Sequence, residues 1–435
     1  MSKTPYVPAR CLGVNESIRR MDMLETMNAY PPREPQLHGV DPSAPSTPAW
    51  PHHEPAENLF HPTRLSPVKP PRRYSPGLVV VLVLSGLILL GVALWLGLVL
   101  GAGTLFVVGL LALFPLGICL AGLAWVDRWD PEPKLILISA FAWGAGVSVA
   151  GSLIFGAAFQ RAFASLAAVT GPDLFGAVVQ APVIEETMKG LGVLLIFFVA
   201  RRNFDGPVDG IVYGGTIAAG FAFTENILYF SDAFAGAGSG AVQVFVLRGL
   251  FSPFAHVMFT AWTGFALGLA VQRGARRYWP LYFLAGLIPA MLGHFLWNGG
   301  VGLIFHNFWT FYVLLQVPLF ICAIVAVIML RRAERRLVAQ RLNDYAQAGW
   351  FSPEEVEMFA TRRGRRQANG WASATGRRKA MRGFTRTAMR LAATRNRIIA
   401  GSHRQKAQRD EARLLALILD YRLALTGSPQ APGLA

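Results

Sequence analysis

Between Pro76 and Leu330 the chain is a succession of apolar runs, and that feature leaves little freedom in what it can become. Each run offers roughly 20 residues or more, the length an α-helix needs to cross a bilayer. Inside hydrocarbon every backbone N–H and C=O has to be satisfied within the segment itself, so such runs fold as helices rather than as loops or open strands. Eight are expected, at about 77–99, 104–126, 135–159, 174–200, 208–230, 243–271, 278–301 and 308–330. The expected fold class is all-α, a polytopic membrane bundle of about eight transmembrane helices. A composition of 53% hydrophobic and 15% charged residues agrees, and excludes a large soluble globular enzyme.

The two ends read differently from this core of 75–332. Residues 1–74 contain PPREP, PSAPSTP and VKPPRR, and proline at that density with few apolar clusters reads as a disordered cytoplasmic arm. No cleavable signal peptide is expected, because the first apolar run is long enough to remain as an anchor. Residues 333–435 read as a basic, partly helical cytoplasmic tail. From Arg331 onward there are 22 Lys/Arg against 8 Asp/Glu, which is +14 of the chain's +16. Ser352-Pro353-Glu354-Glu355 has the order of a helix start, with Ser at the cap, Pro at the first position and Glu at the third. The basic excess fits an anionic inner leaflet, at about 1 kcal/mol per basic residue near the surface. Nucleic acid is the disfavoured partner, since no recognisable binding module is present. Cys11, Cys119 and Cys322 form no metal-ligand spacing and no even disulfide set.

Basic residues also orient the bundle. Lys69, Arg72 and Arg73, then Arg128 and Lys134, Arg201 and Arg202, Arg273, Arg276 and Arg277, and Arg331 and Arg332 all fall on one set of connections. The opposite set holds Arg161, with Arg248 just inside the start of the sixth run. The positive-inside rule then puts both termini in the cytoplasm of an integral protein of the cell membrane.

The fourth run, LFGAVVQAPVIEETMKGLGVLLIFFVA, carries Glu185, Glu186 and Lys189 in its middle. A charge at the bilayer centre costs about 2.5–3.5 kcal/mol on insertion scales, so three of them require a reason. At about 100° per residue Lys189 points between the two glutamates one turn on, within reach of either carboxylate. Other runs bring polar groups to comparable depth. The fifth holds Glu225 and Asn226, with Phe221 one turn back; the sixth holds His256 with Thr260 at i+4; the seventh holds His294 with Asn298 at i+4. Two or more carboxylates, two imidazoles, a lysine and amides on separate helices suit general-base activation of water, with Asn as an oxyanion donor. Glu185, Glu225, His256 and His294 are also proper ligands for a divalent metal such as zinc, although no HExxH stretch occurs. No GxSxG motif supports serine catalysis.

These residues resemble a family. APVIEETMK, DGIVYGGTIAAGFAFTEN, FAHVMFTAWTG and GHFLWN are similar, in order and on separate helices, to the motifs of the PrsW family of intramembrane proteases, and DRWDPEPK resembles that family's acidic loop before the third helix. The resemblance spans about Trp125 to Asn298 and leaves out both ends. It implies a peptidase that cuts a membrane-anchored protein in or next to the membrane, an anti-sigma factor being the implied substrate class. More distantly the pattern is similar to CAAX prenyl endopeptidases and bacteriocin-processing proteases. By that resemblance Glu185 is the general base, Glu186 and Lys189 support it, and His294 with Asn298 forms the last motif. Here Lys189 stands where the CAAX pattern has a later Arg, and Glu225 where it has a histidine. Two other classes stay open on the residues alone. One is a proton-coupled transporter or channel, which also uses intramembrane Glu, His and Lys. The other is a non-catalytic membrane scaffold whose polar groups only fix packing.

Overall fold

The computed structural model describes residues 75–201, 203–236, 240–401 and 404–426, and the Pro-rich arm expected over 1–74 lies outside the described residues. Every described element is a helix. Seven are long and apolar enough to cross a membrane: α1 (Pro76–Leu100), α2 (Ala102–Val126), α3 (Lys134–Ala162), α5 (Pro207–Ala235), α6 (Ala241–Gln272), α7 (Arg276–Ile304) and α8 (Phe308–Gln347). The eighth expected crossing is α4 (172–199), in which Pro172–Phe175, Gly176–Gln180 and Ala181–Val199 run on without a break. It has the length, and what sets it apart from the seven is its charged centre.

Local chemistry explains the ends of these helices. Only Gly101 separates α1 from α2. It sits at φ 78°, a conformation strained for any side chain, while its N–H closes α1 on the Gly97 carbonyl. Asp209 caps α5, accepting from the backbone N–H of Asp205 at 2.7 Å and Gly206 at 3.0 Å. The 40 residues of α8 rise about 60 Å at 1.5 Å each, about twice the hydrocarbon thickness. The helix therefore continues past the apolar run 308–330, and the boundary expected near 332 falls inside it.

Helix α5 is the centre of the bundle. It is buried along most of its length and packs against α2, α3 and α6, whereas α1 and α8 keep apolar side chains such as Leu87, Leu98 and Val313 exposed, as lipid-facing helices do. The α5–α6 crossing is backbone on backbone. A Cβ on Gly210 would collide with the Gly264 carbonyl, and one on Gly264 with that of Gly210. Small residues at such a crossing permit the close approach that drives helix association in lipid.

Past the bundle, the far half of α8 joins α9 (Pro353–Ala360), α10 (Arg362–Ala374), α11 (Arg378–Ile399) and α12 (Arg404–Thr426) around a second core of Leu342, Phe351, Phe359, Phe384, Leu391 and Ile418. The Ser352 hydroxyl accepts from Glu355 N–H at 3.2 Å and the Glu355 carboxylate accepts from Ser352 N–H at 3.0 Å, a reciprocal cap that starts α9. Trp129, from the loop between α2 and α3, belongs to this second core. The Arg365 guanidinium lies 3.6 Å over its ring and donates to its carbonyl. In the same loop the Asp127 carboxylate accepts from the Glu132 N–H at 3.0 Å, and the Tyr213 hydroxyl donates to Glu132. Burial pushes the Asp127 carboxyl up to about 7, and holds Glu132 well above the usual carboxylate range with Asp209 beside it.

Candidate active site

Helix α4 supplies the floor of the site. Glu186 and Lys189 are fully buried, and the Lys189 ammonium stands 2.6 Å from Glu186 Oε1 and 3.5 Å from Glu185 Oε2. One buried and one half-buried carboxylate cannot be balanced by one ammonium alone, and the neighbouring helices complete the arrangement. From α6, the Thr260 hydroxyl donates to Glu186 Oε2 at 2.8 Å. From α7, His294 brings Nδ1 to 3.1 Å from Glu186 Oε1. A carboxylate only accepts, so this contact places the His294 proton on Nδ1 and leaves Nε2 as a lone pair. That Nε2 faces Glu185 Oε2 at 3.9 Å. Glu185 Oε2 is buried and has no hydrogen-bond partner.

His256 of α6 forms the opposite wall. Its Nδ1 is 3.2 Å from the Lys189 ammonium and its Nε2 is 2.8 Å from Glu225 Oε2. The ammonium donates, so the ring proton lies on Nε2 and is given to Glu225. Glu225 in turn pairs with Arg248, whose Nε donates to Asn226 Oδ1 at 2.8 Å and whose guanidinium lies 3.8 Å from the Tyr229 ring centroid. Phe221 sits under both groups, with Lys189 Nζ 4.2 Å from its centroid and the His256 ring edge-on at 5.4 Å. Phe259 stacks on His294 at 5.3 Å. The two imidazoles themselves stand 5.1 Å apart at 86°. A polar cavity of about 10 Å³, about the size of one water, lies against His256 between Asn226, Arg248, Ser252 and Trp297.

The structure thus joins Glu185, Glu186, Lys189, Glu225, His256 and His294 in one unbroken set of contacts, with Phe221, Asn226 and Thr260 bonded or packed against it. Asn298 stands apart. It lies one turn along α7 from His294, and its side-chain amide donates to the Ala177 carbonyl of α4 at 2.7 Å. It ties two helices together beside the site and touches none of the carboxylates. Phe259 carries no titratable group and was not among the sequence candidates; its only signal is its position three residues after His256, on the same helical face. Arg248, in the sequence one of the charges that orient the bundle, turns inward as the partner of Glu225.

The donor set has the chemistry of a metal centre. One atom from each of Glu185, His256 and His294 lies within 4.8 Å of the others. A histidine whose far nitrogen is held by a carboxylate, as Glu186 holds His294, is the usual second contact of a metal-binding imidazole.

Comparison with known proteins agrees with this geometry. The sequence profile of a family described as "PrsW family intramembrane metalloprotease" matches residues 132–323. Protease PrsW of Clostridioides difficile is 31% identical over 188 residues, which covers 42% of this chain and 74% of that protein. Protease PrsW of Bacillus subtilis is 29% identical over 166 residues, covering 38% and 70%. No solved structure matches. The matched region contains α4 to α7 and every residue of the site, while α1, α2, most of the acidic loop and the C-terminal helices α9 to α12 lie outside it. The chain is an integral membrane peptidase that belongs to the PrsW family of intramembrane metalloproteases.

Proposed function

We propose that this peptidase hydrolyses a peptide bond of a membrane-anchored protein at the cluster formed by Glu185, His256 and His294. The observation that carries the reading is Glu185 Oε2, a buried carboxylate oxygen without a hydrogen bond, facing the free Nε2 of His294. Its ionic contact is the Lys189 ammonium at 3.5 Å, which is shared with Glu186, and leaving such an atom without a hydrogen bond in a membrane helix is costly unless a ligand or reactant completes it. Glu185, His256 and His294 are the residues that would hold a divalent cation such as zinc, which when bound would polarise the scissile carbonyl and acidify water. For His256 to take part through Nδ1, the Lys189 ammonium gives up its 3.2 Å contact and stays with Glu186, its 2.6 Å partner.

The remaining work falls to the protein. Glu185 takes a proton from the attacking water and passes it to the leaving amine. Glu186 fixes the tautomer of His294, and Thr260 and Lys189 hold Glu186 in place. Glu225 orients His256, and Arg248 neutralises Glu225. Asn298 is the oxyanion donor only if its second amide hydrogen turns toward the substrate carbonyl while the first keeps Ala177. The transporter and scaffold readings have no comparable use for a Glu185 oxygen without a hydrogen bond beside a tautomer-fixed imidazole.

The finer assignments rest on charge and resemblance. Both termini are cytoplasmic by the basic connections, and the substrate class is an anti-sigma factor by likeness of motif. Exposed Arg362, Arg363, Arg366, Lys379 and Arg382 on α10 and α11 suit an anionic leaflet, whereas Arg365 of the same stretch turns inward onto Trp129.

The test is a proteomic comparison of membranes holding the wild-type chain or Glu185→Gln. A membrane protein shortened only by the wild type is expected, together with bound divalent metal in the purified wild type that falls in His294→Ala. Cleavage by a folded Glu185→Gln equal to wild type rejects the reading.

A further inference from the structure

Serine and threonine hydroxyls in membrane helices ordinarily bond back to the carbonyl four residues earlier. Ser139, Thr187 and Thr216 do so here, at 2.6–2.8 Å. Ser148 and Ser152 of α3 do not. Ser148 is fully buried, and neither hydroxyl has a partner. On α4, Gln180 Oε1 is also buried and has no hydrogen bond. Gly156 continues the Ser148–Ser152 face at the next turn, and its missing Cβ would lie 2.7 Å from Gln180 Nε2. One turn inward of Ser148, Gly144 packs on the backbone of Ile217 and Phe221, the residue under Lys189 and His256. Next to Gly156 along α3, Ala157, Gln160, Arg161, Ala164, Ala167 and Ala168 line an open surface hollow of about 460 Å³. Both helices bordering the seam widen locally into π-turns, at Trp143–Ser148 and Gly176–Gln180, a distortion often found at functional sites.

We propose that this seam between α3 and α4 is the subsite that receives an extended stretch of the substrate's backbone, with small side chains, as it approaches Glu185. The proposal rests on the protease reading. A helical substrate has its peptide groups bonded internally, and cleavage requires a stretch of it to unwind. Unwinding inside a membrane strips those groups of partners, and only a wall with free donors and acceptors replaces them. Ser148 Oγ, Ser152 Oγ and Gln180 Oε1 are such groups. From Gly156 to Ser148 is about 12 Å at 1.5 Å per residue. That length matches three to four extended residues at about 3.3 Å each. The seam is closed by the unbranched side chains of Gln180, against Gly156, and Met188, against Gly151. The narrowness at Gly156 selects for small substrate side chains.

The test uses the full-length chain in native membranes. A photo-cross-linking residue is placed at position 152 or at position 154, where Ile154 is 66% exposed on the lipid side of the same helix. Both are made in the Glu185→Gln background, and the protein followed is the one that wild-type chain shortens. Adducts from 152 near its cut site, at least tenfold above those from 154, are expected. In parallel, Ser148→Ala/Ser152→Ala/Gln180→Leu is expected to lower kcat/KM about tenfold, mostly through KM, with bound metal unchanged. Equal adducts from both positions, none from 152, or an unchanged KM overturns the subsite while cleavage by wild type leaves the protease reading standing. If wild type shortens no protein, both fall.

Discussion

His294 Nδ1 stands 3.1 Å from Glu186 Oε1, and that pairing divides two adjacent glutamates into different tasks. Glu186 is spent on the imidazole, Thr260 and Lys189. Glu185, one residue earlier on the helix, keeps an oxygen without a hydrogen bond toward the other nitrogen of the same ring, with only the longer 3.5 Å contact to Lys189.

Glu186→Gln replaces the carboxylate behind His294 with a neutral amide, which weakens its hold on the Nδ1 proton, and leaves both candidate ligands on that side in place. Metal affinity, measured by chelator competition on the purified chain, is expected to fall about 10–100-fold. Cleavage should fall in parallel. An unchanged affinity would separate Glu186 from the metal centre.

Lys189→Met leaves the fully buried Glu186 without its cation. Breaking one partner of a buried pair costs about 3–5 kcal/mol, so thermal unfolding in detergent is expected well below wild type. The double variant Lys189→Met/Glu186→Gln should recover much of that loss, because no bare charge remains. Equal stability of the single and double variants would contradict the pairing.

The acidic loop predicts a pH dependence outside the bundle. The Asp127 carboxyl titrates near 7 in the folded chain and at 3.8 as an ordinary carboxyl, so the folded chain holds this proton to higher pH. Stability therefore falls as pH rises from about 4 to about 7, and the loss is complete above 7. Unfolding of the full-length protein between pH 5 and pH 8 should show a smaller loss in Asp127→Asn than in wild type. Equal losses would place Asp127 in open solvent.

Reporter fusions after Ala200 and at the chain's end test the topology. Both are expected to report the cytoplasm, on the asymmetry of Lys and Arg between the connections. An external signal at either site breaks that assignment.

Helices were legible in the sequence because their causes are local. Apolar length, the Ser352–Glu355 cap and the charged centre of α4 follow from neighbours in the chain, and the described helices begin and end within a few residues of the apolar runs, except where α8 continues. The spacing of Glu185, Glu186 and Lys189 likewise announces that one ammonium reaches two carboxylates. What no local pattern carries is which helix meets which. His294 reaches Glu186 across 108 residues and Lys189 reaches His256 across 67, because glycine-on-glycine crossings such as Gly210–Gly264 fix the positions of α5 and α6 and the other helices pack around them. The same packing leaves Asn298 bonded to Ala177 and away from the carboxylates, although its i+4 spacing put it on the face of His294. It also turns Trp129 into the core shared with the C-terminal helices, where the loop sequence read alone shows only an aromatic between Arg128 and Asp130. Sequence determined the helices and the charges they bear; the tertiary structure decided their partners, since a buried polar group's role depends on what the neighbouring helix presents to it.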